Sequence, residues 1–174
     1  MSKYFNPVKI INTEDWLHEL KFQIDALTIS SPIIITTPGN RKRLNLDKNF
    51  NNDSIYSKVG SNPNFEDCND VIKFCQKNIT FDGVVAIGGG SAMDLAKVVM
   101  AYLCIKKSNI YELMEFNNIL LKSIPSIFLP TTHGTASEVT MWGTIWNIKE
   151  KKKYSISNPI LYPSVAILDG NLVL

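Results

Sequence analysis

Apolar positions recur at two periods along this chain, and the alternation between them divides it into short strands and longer helices. Trp16, Leu17, Leu20, Ile24 and Leu27 fall at helical spacing, which predicts an amphipathic helix over residues 13–27 capped by Thr13. The β-branched run 32–37 reads as a buried strand closed by a turn at Pro38-Gly39, and 54–59 as a second strand. Residues 66–78 are again helical, with Val71, Ile72, Phe74 and Cys75 on the apolar side. A strand at 81–87 is broken by Gly88-Gly89-Gly90, after which a helix runs over 91–105. Residues 124–129 form a strand ended by Pro130. Residues 139–146 and 154–156 are hairpin arms around the charged turn 149–153, and 165–169 is a last strand. Strands alternating with helices, bounded by Gly and Pro, predict an α/β fold: a mostly parallel sheet with helices on both faces, plus a β-hairpin.

Composition narrows the function. The 174 residues are 45% hydrophobic and 20% charged, which excludes a disordered or fibrous chain and suits one domain. A net charge of +2 is too weak to make nucleic acid or an anionic membrane the main partner. No secretory signal is visible at the N-terminus, and no apolar run approaches the roughly 18–20 residues of a membrane helix. Cys68, Cys75 and Cys104 lack metal-binding spacing and read as free thiols, so a cytoplasmic location is expected.

The chemistry concentrates at the glycine turn. Past a strand end, glycines let a phosphate approach the backbone, and the free N–H groups of the following helix complement its charge. The turn lacks the third glycine of a GxGxxG pattern, with Met93 in that place, and lacks the Lys of a P-loop. The alternative is a plain strand-to-helix turn in which Ser91 and Asp94 form a capping box and Asp94 and Lys97 a surface pair. A second segment, 130–140, follows a strand and gathers Thr131, Thr132, Thr135, Ser137 and Thr140, whose hydroxyls can bond adenine, ribose or phosphate; a Ser/Thr-rich turn is the plainer account.

Together the two segments, GGGSAMDLAK at 88–97 and PTTHGTASEVT at 130–140, resemble the iron-containing (group III) alcohol dehydrogenase family, whose patterns run close to GGGSxxDxAK and PTTxGTGSEVT. Asn62-Pro63 looks like the family's NP element, and 162–169 like its YPdvaivDP segment. Ala136 stands where the family usually has Gly, which tightens the backbone angles, and Gly170 follows Asp169 in place of Pro. The segment 141–155 looks most like a branch that includes phosphonoacetaldehyde reductases.

The resemblance implies a Rossmann-like dinucleotide-binding domain over 1–174 and hydride transfer between a nicotinamide cofactor and an alcohol, aldehyde or ketone. Gly89, Gly90 and Ser91 would hold the pyrophosphate, and Asp94 would lie near the nicotinamide. Thr131 and Thr135 would line the adenine and ribose side, with Thr132 and Thr37 in the same set. Asn62 and Lys153 would contact sugars or phosphates, although Lys151-Lys152-Lys153 also reads as a solvated turn. Residues 36–43 carry no acid and three cations, so NADP is expected over NAD, with Arg41 or Arg43 on the extra phosphate.

The family's Fe2+ or other divalent metal is held by a helical C-terminal domain that would begin after residue 174. His18 and His133 alone make no metal site, and His133 is expected to be an ordinary loop residue. The apolar end at 172–174 suggests a chain cut short, with weak nucleotide binding and no turnover of its own. A small alcohol or aldehyde is the expected partner, and homodimer formation is compatible with such a domain. A dehydroquinate synthase-like lyase, which the Thr-rich segment disfavours, and a non-catalytic nucleotide-binding module stay open.

Overall fold

The computed structural model describes residues 5–77, 80–107, 109–114 and 122–173. Eight strands and five α-helices are found among them: β1 (Lys9–Asn12), α1 (Trp16–Ala26), β2 (Pro32–Thr36), α2 (Pro38–Arg43), β3 (Ile55–Tyr56), α3 (Phe65–Cys75), β4 (Gly83–Gly88), α4 (Gly90–Ile105), α5 (Ile110–Met114), β5 (Ser126–Pro130), β6 (Trp142–Asn147), β7 (Lys152–Ser157) and β8 (Val165–Leu168). Six strands pair in parallel in the order β1-β8-β5-β4-β2-β3, and β6 and β7 form a separate antiparallel hairpin.

The central strands are buried on both sides, which explains their unbroken apolar runs. Ile33, Ile35, Val84, Ala86 and Phe128 face α3 and α4, while Ile34, Val85, Ile87, Ile127 and Leu129 face the side where Leu20 of α1 packs. Helix α4 is buried almost all round, from Ala92 to Leu103, because the hairpin closes over the side that the sheet leaves open. Gly143 of β6 makes that closure fit: a Cβ there would stand 3.1 Å from the Asp94 carbonyl and 3.4 Å from Lys97 Cβ.

Several predicted boundaries move, each for a local reason. Asp15, not Thr13, caps α1: its carboxylate accepts from His18 N–H at 3.1 Å, while the Thr13 hydroxyl accepts from Asp15 N–H. Pro38-Gly39 is not a turn but the opening of α2, with Pro at its favoured first position and Thr37 as the cap accepting from Asn40 N–H. The second strand shrinks to Ile55–Tyr56, and residue 139 closes a 3-10 turn rather than starting the hairpin. Asn78, the expected end of the helix at 66–78, lies outside the described residues; α3 starts instead at a capping box formed by Asn64 and Asp67. Strand β1 and helix α5 have no counterpart in the sequence reading. β1 is mostly exposed, so its side chains show no apolar alternation to detect.

Phe128 is fully buried at the centre of the sheet, against α4. Phe128→Ala is expected to cost about 3–5 kcal/mol of stability, read as a lower urea midpoint.

Candidate functional site

The carboxyl ends of β2, β4 and β5 open onto the N-terminus of α4, where two small cavities meet at Gly90 and Ser91. One, of about 370 Å³, is lined by Thr37, Val59, Gly60, Ser61, Gly89, Gly90, Ser91, Ala92 and Thr132. The other, of about 240 Å³, is lined by Asn62, Pro63, Gly90, Ser91, Asp94, Thr135, Thr144, Trp146 and Lys153. The structure therefore brings together all the expected cofactor residues except Thr131, Arg41 and Arg43. Thr131 is buried, with its hydroxyl accepting from Asn40 Nδ2 at 3.3 Å. Arg41 lines a separate cavity of about 360 Å³ beside α2.

No side chain caps α4, so its first N–H groups remain available to an acceptor in the cavities. The capping box that the alternative reading gave to Ser91 and Asp94 is absent. The cap is Gly89, and the Ser91 hydroxyl accepts from the backbone N–H of Asn62 at 3.1 Å. That bond pins the 60–64 loop over the helix terminus and leaves the hydroxyl hydrogen free to donate. Asn62 has a φ of +54°, a left-handed conformation that asparagine tolerates better than most residues.

Gly89 and Gly90 are closely packed by the protein's own side chains. A Cβ on Gly89 would lie 2.8 Å from Thr132 Oγ1, and one on Gly90 would lie 3.1 Å from Thr135 Cγ2. Ala136 takes the left-handed conformation, φ +50°, where the family pattern has glycine, so the tightening expected there is real.

Trp146 was not anticipated, and it joins the site twice. Its backbone N–H donates to the Pro63 carbonyl at 2.9 Å, which ties the hairpin to the 60–64 loop. Its ring lies 4.5 Å below Lys153 Nζ, so Lys153 belongs to β7 at the cavity mouth and not to the charged turn. Thr144 was missed as well. Both sit on alternate positions of β6, a period-2 signal that the sequence does carry.

Asp94 and Lys97 do not form a surface pair. Lys97 is fully buried under the hairpin, where its ammonium donates to the Ser137 carbonyl and hydroxyl (2.9 Å each), the Thr140 hydroxyl (3.0 Å) and the Trp142 carbonyl (2.7 Å). Burial pushes its pKa down to about 8, against the pull of Asp94 and Glu138. Burial pushes the Asp94 carboxyl up, opposed by Lys97, the Thr144 N–H and the Ser137 hydroxyl, which donates to Asp94 Oδ1 at 3.2 Å. A lysine within the otherwise apolar stretch 95–105 was the signal that could have marked it.

A fourth and larger cavity, about 840 Å³, lies beyond the ends of β1, β5 and β8, where Glu14, His133, Glu138 and Asp169 line it. Asp169 is committed to the fold: it caps the turn at Gly170–Leu172 and accepts from Trp16 N–H at 2.9 Å. Among the described residues no group of three or more His, Cys, Asp and Glu side chains could hold a metal ion, so no donor set here fits the metal that the resemblance implies. No helix among them is long and apolar enough to cross a membrane.

Residues 7–170 match the profile of the family described as "Iron-containing alcohol dehydrogenase". Choline dehydrogenase of Bacillus subtilis (strain 168) is 30% identical over 159 residues, covering 86% of this chain and 39% of that protein. Alcohol dehydrogenase 4 of Saccharomyces cerevisiae (strain ATCC 204508 / S288c) is 31% identical over 173 residues, covering 95% of this chain and 44% of that protein. Among solved structures, sulfoacetaldehyde reductase from Bifidobacterium kashiwanohense in complex with NAD+ superposes with a TM-score of 0.84 at 28% identity, covering 99% of this chain and 47% of that one. The chain thus spans less than half the length of each of these relatives.

Two outcomes are expected at this site. Gly89→Ala overpacks against Thr132 and should cost about 1–3 kcal/mol of stability. Adding Thr132→Ala should restore most of it, because the Thr132 Cβ itself would be 3.6 Å away, an ordinary contact; chemical denaturation of the single and double variants checks this. Lys97 in the unfolded chain keeps its proton up to about pH 10, so between pH 8 and about 10 the unfolded state holds more protons than the folded one. Stability from this group therefore grows as pH rises through that window. The wild type should gain on Lys97→Met there, read as the difference in urea midpoints at the two ends.

Proposed function

The chain belongs to the iron-containing alcohol dehydrogenase family, and on that premise we propose that it is the nicotinamide-nucleotide-binding part of an oxidoreductase that interconverts an alcohol and an aldehyde or ketone. The observation that carries this reading is the pair of cavities meeting at Gly90 and Ser91, at an uncapped helix N-terminus beyond a parallel sheet. Backbone N–H groups of the first turn of α4 and the Ser91 hydroxyl would hold the pyrophosphate. Asn62 and Lys153 would close over the sugars, Thr132 and Thr135 would form the opposite wall, and Asp94 would face the nicotinamide. When bound, the cofactor supplies the hydride. These residues orient it and keep water away from it.

For the adenine-side ribose, the geometry favours NAD. Arg41 Nε donates to the Asp47 carboxylate at 2.8 Å, and the Arg43 guanidinium donates to the Leu172 carbonyl at 2.8 Å. A 2′-phosphate could draw Arg41 only by breaking that ion pair beside a competing carboxylate. NADP remains the second reading, supported by the cavity beside α2 that Lys42 and Lys48 line together with Arg41.

A divalent metal, if the reaction uses one as the family's description implies, would take its ligands from outside the described residues, and the substrate would approach through the cavity that His133 lines. Three carboxylates line that cavity, so an anionic aldehyde of the phosphonoacetaldehyde or sulfoacetaldehyde kind would need cations from elsewhere. The chain alone is expected to bind nucleotide and not to turn over.

Fluorescence titration with NADH and NADPH tests this assignment. NADH should bind more tightly. Asp47→Asn, which frees Arg41, should strengthen NADPH binding about three- to tenfold and leave NADH binding near its original value. Binding of neither nucleotide would remove the proposal.

A further inference from the structure

Lys97 does not line either cavity, yet its bonds run to residues that bracket both sides of one. The oxygens around its ammonium belong to residues 137–142, the stretch that joins cavity-lining Thr135 to cavity-lining Thr144. Four acceptors surround three N–H groups, so the ammonium is fully engaged. The decisive bond is the one to Ser137. With Lys97 donating to its oxygen at 2.9 Å, the hydroxyl must direct its own hydrogen elsewhere, and Asp94 Oδ1 lies 3.2 Å away. An apolar side chain of the same volume could fill the space under the hairpin, but it would leave the Ser137 and Trp142 carbonyls without this donor. It could not orient that hydroxyl.

We propose that Lys97 is a positioning residue for the nucleotide cavity: it seats residues 137–142 against α4 and turns the Ser137 hydroxyl onto Asp94, fixing the carboxylate that faces the bound cofactor. The inference rests on the nucleotide-binding reading for its consequence, and on the hydrogen-bond geometry for its existence. The groups facing the ammonium are Asp94 on its own helix, Glu138 on the seated segment, the Phe128 ring of β5 at 5.9 Å, and the uncharged Trp142 carbonyl of the hairpin. A neutral amine has one N–H fewer for the same four acceptors, so the Ser137 hydroxyl is no longer held onto Asp94 once Lys97 loses its proton, even though burial favours the neutral form.

The test uses the 174-residue chain, its Lys97→Met, Ser137→Ala and double variants, NADH as the probe, and amide hydrogen exchange without nucleotide. Lys97→Met should weaken NADH binding about tenfold or more at neutral pH, and Ser137→Ala by a smaller factor. The double variant should be no weaker than Lys97→Met, since both changes break one relay. Wild-type affinity should fall as pH rises through 8, and the Lys97→Met profile should be flat. Amides of residues 137–144 should exchange faster in Lys97→Met, while those of β4 keep their protection. Additive losses, an unchanged pH profile, or unchanged exchange at 137–144 would each overturn the proposal. If Lys97→Met does not fold, Ser137→Ala and the wild-type pH profile decide. If the wild type binds no NADH, the nucleotide reading fails, and hydrogen exchange alone decides whether Lys97 seats the segment.

Discussion

The structure depends on the enclosure of α4. A helix that is apolar almost all round must be covered on every side, and here the sheet covers one side and the β6–β7 hairpin the other. That double cover fixes the helix and therefore fixes its N-terminus at the ends of β2, β4 and β5. The same enclosure forces Gly143 into β6 and traps Lys97 where only carbonyls and hydroxyls can receive its charge. Site and core are one construction, because the helix whose N-terminus opens onto the cavities is also the central piece of the core.

The hairpin consequently has two tasks. Its inner residues Ile145 and Ile156 complete the apolar cover, while Thr144, Trp146 and Lys153 reach the cavity from above. The bond from Trp146 N–H to the Pro63 carbonyl and the one from Asn62 N–H to the Ser91 hydroxyl then close a ring of contacts: helix terminus, 60–64 loop and hairpin each hold the next. A cavity walled by three separate elements can be preorganised for a flexible ligand without any of its loops being long.

Polar groups near the cavity divide into those wholly spent on the fold and those that still line it. Asp169, Thr131, Arg43 and Asn40 bond within the protein, and Arg41 is held by Asp47. Ser91, Asp94, Thr132, Thr135 and Lys153 line the cavities. The basic run 41–43 shows why this division escapes a linear reading. Its arginines look free beside a strand end with no nearby acid, but folding brings Asp47 and the Leu172 carbonyl to them.

The strands with unbroken apolar runs, the helices with a clear apolar side and the glycine turn after Ile87 were legible in the sequence because each is governed by local periodicity or backbone freedom. Part of the cavity lining was legible too, since GGGSAMDLAK and PTTHGTASEVT carry Gly89, Gly90, Ser91, Asp94, Thr132 and Thr135, whereas Thr144 and Trp146 of the hairpin were missed. What the sequence could not determine was partnership. Ser91 reads as a cap by its position, yet its hydroxyl serves Asn62, because the 60–64 loop folds back over the helix terminus. Asp94 and Lys97 read as a surface pair by their spacing, yet the hairpin buries Lys97, leaves Asp94 half-buried at the cavity and routes the contact through Ser137. Propensity and motif act over a few residues, so the chain alone set the elements and the candidate chemistry. Which polar atom faces the cavity and which is spent on the fold depends on contacts between residues distant in sequence, and only packing the hairpin over α4 decided that.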